Sequence, residues 1–219
     1  RVSGPELSES LMKGIAAAGT KVIDIGRVPT PVLYFAAHYF KNGSGVAVTG
    51  SHNPPEYNGL KMMLGGKTLF GEGIQDIYRA ICENRYKPAE TPAAIERVSV
   101  IDAYVKKITS DVKLARPMKE LFFDVDGNFP HHHPDPSKPA NLQDLIRTVK
   151  EGDAELGLAF DGDADRLGVV TKSGEIIFPD RQMMLFAEDI LKSHPGASII
   201  YDVKCTRCLV PWIKDRGGK

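Results

Sequence analysis

The aspartates Asp161, Asp163 and Asp165 stand two apart, with an apolar stretch on each side, 156–160 before and 167–171 after. Apolar runs of this length read as buried strands. The run Asp161-Gly162-Asp163-Ala164-Asp165-Arg166 must therefore be the connection between them. Carboxylates packed this closely repel one another unless a cation is shared among them. Gly162 and Ala164 are small enough to let the backbone fold round such a cation. Hard oxygen ligands favour Mg²⁺, Mn²⁺ or Ca²⁺ over zinc. An EF-hand is excluded: its sixth position needs Gly and is Arg166, and its twelfth needs Glu and is Lys172. Mg²⁺ held by few protein groups and one phosphate oxygen fits better. The bland alternative is an acidic surface turn. Arg166 cannot ligate a cation, but it can pair with an aspartate or hold a phosphate bidentately.

A second polar cluster, Thr49-Gly50-Ser51-His52-Asn53-Pro54-Pro55, follows the apolar Val46-Ala47-Val48. A serine is a weak nucleophile until a base or a prior modification changes it. A phosphoryl group on Ser51 can place one oxygen on a cation and others near backbone N–H groups. His52 can donate a hydrogen bond or carry a proton, and Lys61 can supply positive charge. Gly, Ser, Asn and Pro are also what any turn uses, so this loop alone is weak evidence. Beside a metal site, an exposed serine points to phosphoryl transfer.

The 219 residues suffice for one large domain or two small ones, and a 42% hydrophobic fraction supports real cores. The formal net charge of +0 gives no basic surface for nucleic acid. No apolar run is long enough to cross a bilayer. The start at Arg1 is no signal peptide and lacks an initiator Met, so upstream residues are expected to be missing. Three cysteines favour a reducing, cytoplasmic compartment. Cys205 and Cys208 read as free thiols, since no second pair completes a zinc site. His131, His132 and His133 read as a turn, and Trp212 as a packing anchor.

The pattern alternates helix and strand, as in an α/β protein. Ser3 and Glu6 form a capping box for a helix ending at Gly19. Strands are expected at 22–25, 45–49, 60–64, 121–125, 156–160, 167–171 and 198–203. Helices are expected at 32–40, along Ile74, Ile77, Tyr78 and Ile81, over 101–112 and 142–149, at 180–191 and after Thr206. Pro88, Pro92 and the nearby alanines make 85–98 a linker. The residues 172–175 form a hairpin turn.

Several blocks together resemble the α-D-phosphohexomutase family, in its bacterial phosphomannomutase/phosphoglucomutase branch. They are Val28-Pro29-Thr30-Pro31, Thr49-Gly50-Ser51-His52-Asn53-Pro54, Tyr57-Asn58-Gly59-Leu60-Lys61 and Asp126-Gly127-Asn128-Phe129-Pro130. They continue as His132-His133-Pro134-Asp135-Pro136, Asp161 to Arg166, and Asp202-Val203-Lys204-Cys205-Thr206-Arg207. The resemblance implies a phosphoserine enzyme of successive three-layer α/β domains with mixed sheets. It implies reversible interconversion of hexose 1- and 6-phosphates, of mannose and glucose, through a hexose 1,6-bisphosphate. Ser51 matches the phosphoserine, and Asp161, Asp163 and Asp165 match Mg²⁺ ligands, with a phosphoserine oxygen completing the set. His52 and Lys61 match groups near the transferred phosphoryl. Arg166 matches the arginine of the metal loop, and Arg1 one that faces the same centre. Lys204 and Arg207 match substrate-binding positions. The partners implied are phosphosugars; neither nucleic acid nor a membrane is expected, and the oligomeric state is left open, with a monomer favoured.

The resemblance divides the chain into a phosphoserine domain, 1–96, a metal-binding domain, 97–176, and the start of a sugar-binding third domain, 177–219. The second domain departs from the family pattern near residues 120 and 121, where roughly two dozen residues are absent. A deletion of a central strand and helix would expose core and strand edges, so residues omitted from the sequence are the more economical reading. The third domain is truncated, without the family's sugar-recognition loop. The alternatives are a phosphosugar phosphatase using Asp124 and Asp126, a metal- and phosphosugar-binding fragment without turnover, and a phosphoglucosamine mutase.

Overall fold

The computed structural model describes residues 2–51, 53–112, 129 and 132–219. They divide into two compact units. The first contains the described residues up to 134 together with the loop 161–165. The second contains 135–160 and 166–219. The strand expected at 121–125 lies outside the described residues, as do Asp124 and Asp126.

The first unit opens with α1, Gly4–Ala17. The expected capping box does not form: Ser3 is the N-cap but makes no side-chain cap bond. Its backbone, at φ −81° and ψ −1°, is already helical, whereas a capping serine needs the extended conformation to aim its hydroxyl at the first turn. The Ser3 Oγ accepts a hydrogen bond from Asn58 Nδ2 at 3.2 Å instead. Gly19 ends the helix at φ +81°, a conformation natural only to glycine.

Next come β1, Val22–Asp24, and α2, Thr30–Tyr39. The helix starts earlier than its apolar periodicity indicates. Pro29 serves as its N-cap and Pro31 falls in its first turn, where a missing N–H costs no hydrogen bond. Then β2, Gly45–Val48, pairs antiparallel with β3, Leu60–Leu64, in a register that sets Ala47 opposite Lys61. Gly65 and Gly66, both at positive φ, turn β3 into β4, Lys67–Thr68. The helix α3, Glu72–Cys82, carries the expected apolar face but buries no residue.

The stretch read as a linker contains β5, Ile95–Arg97, which pairs in parallel with β1. Pro88 and Pro92 precede the paired residues, so neither removes a donor from the ladder. The composition signals a break, yet the exposed edge of β1 supplies partners that composition does not show. The helix α4, Ile101–Asp111, follows. Val32, Ala36 and Val100 form a buried core cluster in this unit, ringed by Ile25, Val28, Phe35, Phe40 and Tyr104. Phe35 meets Tyr104 edge-on, with ring centres 5.3 Å apart.

In the second unit a 3₁₀ turn at Pro139–Leu142 leads into α5, Gln143–Glu151. The strands β6, Leu156–Phe160, β7, Leu167–Thr171, and β8, Ile176–Ile177, form an antiparallel meander. Phe160 stands directly opposite Leu167, so the acidic run is the hairpin connection itself. The helix α5 packs on β6 at Gly157, where a β-carbon would lie 2.7 Å from Val149 and 2.9 Å from Leu145. The helices α6, Pro179–Ser193, and α7, Leu209–Asp215, bury Ala187, Leu191, Leu209 and Ile213 between them. Trp212 is the expected anchor: its indole N–H donates to the Met184 carbonyl, and Arg216 lies over its ring.

The strand expected at 198–203 is not formed. A strand needs a row of backbone partners. Here the backbone bonds link Gly196 to Gly217 and Ile199 to Lys219, and no ladder continues beyond them. Ile200 and Val203 are left about nine-tenths exposed (90% and 94%). Among the described residues, no helix is long and apolar enough to cross a membrane.

Candidate metal centre

The loop 161–165 folds within the first unit, the same unit as Ser51 and Lys61. Its backbone wraps round its first residue. The Ala164 N–H donates to the Asp161 carbonyl at 3.0 Å, and the Asp165 N–H donates to Asp161 Oδ1 at 3.1 Å. Ala164 reaches this shape at φ +56°, a left-handed conformation that its β-carbon disfavours. One carboxylate oxygen from each aspartate lies within 4.8 Å of the other two. Asp161 and Asp163 are buried and Asp165 is exposed.

Ser51 closes one side of this group. Its Oγ donates to Asp161 Oδ2 at 3.3 Å. The serine follows the end of β2, where the Thr49 N–H donates to the Gly59 carbonyl and carries the β2–β3 ladder one step further. Ser51 then takes a left-handed backbone conformation, φ +48°, held by a 2.9 Å bond from its own N–H to Thr49 Oγ1. For a serine that conformation costs on the order of 1 kcal/mol, and such strain concentrates at functional sites.

Lys61 closes another side. From near the start of β3 its Nζ donates to Asp163 Oδ2 at 2.6 Å and to Asp165 Oδ2 at 2.5 Å. Thr30, the first residue of α2, closes a third: its Oγ1 donates to Asp163 Oδ2 at 2.9 Å, and its N–H donates to the Asp163 carbonyl at 3.0 Å. Burial pushes the Asp163 carboxyl up, but the bonds from Lys61 and Thr30, with the Lys61 charge, outweigh it and hold the group below its ordinary value. Burial likewise pushes Lys61 down, and its bonds to Asp163 and Asp165 outweigh that and raise it.

The second oxygen of Asp163, Oδ1, is buried without a hydrogen-bond partner among the described residues. A buried carboxylate oxygen with neither donor nor cation is expensive. Together with the convergence of three hard oxygen donors, it fits a small divalent cation.

The structure thus brings together Ser51, Lys61, Asp161, Asp163 and Asp165. Arg1 and His52 lie outside the described residues. Arg166, Lys204 and Arg207 are exposed residues of the second unit. Sequence reasoning missed Thr30, which carries no charge and stands 133 residues from the aspartate it holds. Its only signal is its place between two prolines in Val28-Pro29-Thr30-Pro31. His132 Nδ1 bonds the His133 carbonyl, as a turn does, and Cys82, Cys205 and Cys208 are free thiols.

Comparison with known proteins joins these observations. Residues 1–87 match the profile described as phosphoglucomutase/phosphomannomutase, alpha/beta/alpha domain I. Residues 98–174 match that of domain II. The chain is 53% identical over 245 aligned positions to a protein of Neisseria meningitidis serogroup B named phosphoglucomutase, covering 100% of this chain and 53% of that protein. It is 47% identical to a Pseudomonas aeruginosa protein named phosphomannomutase/phosphoglucomutase, again covering all of this chain and 52% of the relative. Among solved structures it resembles a phosphoglucomutase/phosphomannomutase family protein of Burkholderia thailandensis. There the TM-score is 0.90 at 47% identity, over 100% of this chain and 55% of the other. The chain spans about half the length of the curated relatives it matches. The 245 aligned positions exceed its 219 residues, so the relative carries positions that have no counterpart in this sequence.

Proposed function

Because this chain belongs to the phosphoglucomutase/phosphomannomutase family, we propose that it carries the phosphoryl-transfer centre of a phosphohexomutase. The full protein would interconvert the 1- and 6-phosphates of glucose and mannose in the cytoplasm. The observation that carries the reading is Ser51, whose Oγ lies 3.3 Å from Asp161 Oδ2 and so beside the three convergent aspartates.

Ser51 is the phosphoryl carrier. In the forward half-reaction the bond between phosphorus and Ser51 Oγ breaks, and a bond forms from phosphorus to a free hydroxyl of the hexose phosphate. The hydroxyl loses its proton to a neighbouring base, a role we assign to His52 by its match to the family. The product is a hexose 1,6-bisphosphate. After it turns over, the other phosphate returns to Ser51 Oγ, and the displaced sugar oxygen takes a proton.

Asp161, Asp163 and Asp165 would hold one Mg²⁺, with the phosphoserine as a further ligand. When bound, that ion supplies charge neutralisation for the non-bridging phosphoryl oxygens. The left-handed turn at Ser51 presents its Oγ toward Asp161, so little reorganisation is needed for in-line transfer. Lys61 reaches the same centre from β3 and adds positive charge where the transferred group gathers negative charge. Arg166 and Arg1 are proposed to steady phosphate oxygens, and Lys204 and Arg207 to bind the sugar phosphate.

The test is to incubate the protein with glucose 1,6-bisphosphate and map the modified peptide by mass. One phosphate on Ser51 is expected, and none in a Ser51→Ala protein. Phosphate found reproducibly on another residue of an active preparation, with Ser51 unmodified, would end the proposal.

A further inference from the structure

Asp163 is the aspartate whose two oxygens are treated differently. Oδ2 receives the Thr30 Oγ1 and Lys61 Nζ donors. Oδ1 receives none among the described residues and is shut away from solvent. A carboxylate can rotate about its last bond and exchange these two oxygens. Something must fix which one faces its neighbours.

Lys61 alone is a poor candidate. An ammonium on a four-carbon stem is an adaptable point charge, and it serves Asp165 as well. Thr30 is different. It is 4% exposed, and its backbone is pinned as the first residue of α2. Its backbone N–H, which has no partner within the helix, is used on the Asp163 carbonyl. Its hydroxyl is used on the Asp163 side chain. One residue therefore grips both the main chain and the carboxylate of Asp163 from a rigid helix end.

We infer that Thr30 is a positioning residue for the metal centre: by holding Asp163 Oδ2 it dedicates Oδ1 to the cation. The inference rests on the proposed Mg²⁺ site and adds to it the device that orients the ligand. Outer residues that orient a metal ligand typically change affinity by about 10- to 100-fold when removed. The Thr30 backbone contact survives any side-chain change, so the low end of that range is expected.

The experiment measures Mn²⁺ and Mg²⁺ affinity of the full-length protein by electron paramagnetic resonance and competition, together with steady-state kinetics. The proteins are wild type, Thr30→Val, Thr30→Ser and Asp161→Asn. Thr30→Val keeps the shape and loses the hydroxyl. It should weaken metal binding about 10-fold and lower kcat, while KM for the sugar phosphate stays near wild type. Thr30→Ser restores the hydroxyl and should recover most of the affinity, which a packing role of the methyl group would not allow. Wild-type affinity in Thr30→Val overturns the inference, as does a Thr30→Ser protein no better than Thr30→Val. In both cases, weakened binding in Asp161→Asn leaves the metal site standing. If wild type and Asp161→Asn alike bind no ion at millimolar concentration, the metal reading falls and takes this inference with it.

Discussion

Lys61 and Asp163 form an ion pair within the candidate site, and their titration sets a pH window. Asp163 is held below its ordinary value, so its contribution to stability is present above the carboxylate range and is lost as pH falls through the folded value. Lys61 is raised, so its contribution is present below the ordinary lysine range and is lost as pH rises through the folded value. Lys61→Met should therefore lower the thermal midpoint in metal-free buffer between about pH 4 and about pH 10. The expected cost is about 1–2 kcal/mol, less than for a fully buried pair because Lys61 keeps solvent contact. Differential scanning calorimetry across pH checks this, and the gap should close in acid as Asp163 protonates. A gap that widens in acid would show that Lys61 stabilises something other than Asp163. At this scale the ionisable members of the centre were legible in the sequence, because charge crowding and strand-end placement mark them. Thr30 was not, since a neutral hydroxyl between two prolines carries no charge signal.

At the scale of elements, the metal loop depends on the hairpin that carries it. The register sets Phe160 opposite Leu167, and α5 covers β6 through Gly157. A β-carbon there meets the side chains of Val149 and Leu145 at 2.7 to 2.9 Å, too close for either to remain in place. Gly157→Ala should therefore destabilise the protein by about 1–3 kcal/mol, despite the usual preference for Ala over Gly in a strand. Urea denaturation is the measurement, and a stability at or above wild type would refute the packing. The same contact explains which elements the sequence could show. Strands β6 and β7 are bounded by abrupt changes of polarity and were readable to the residue. The parallel strand β5 was not, because its three residues have no period of their own and exist only against β1. The strand expected at 198–203 failed for the converse reason. Its residues are apolar enough, but the described residues offer it no continuous edge.

At the scale of the whole molecule, the chain holds the serine and the aspartates but only about half the length of its relatives. The full-length protein is expected to convert glucose 1-phosphate and mannose 1-phosphate to the corresponding 6-phosphates, and glucosamine 1-phosphate much more slowly. Coupled assay with the three sugars distinguishes the outcomes. Turnover of glucosamine phosphate alone would displace the substrate assignment and leave the Ser51 mechanism intact. Release of inorganic phosphate without any 6-phosphate would displace the mutase reading. What the sequence determined by itself is the chemistry: three carboxylates at a strand end, a serine at another, a lysine ten residues on, and an α/β alternation to carry them. Those follow from local pattern, because polarity, spacing and turn propensity act over a few residues. The tertiary structure decided which oxygen meets which donor. It brought Thr30 to Asp163 across 133 residues, left Asp163 Oδ1 without a hydrogen-bond partner among the described residues, and turned Ser51 toward Asp161. Contacts of that separation are set by packing and register, and no local preference encodes them.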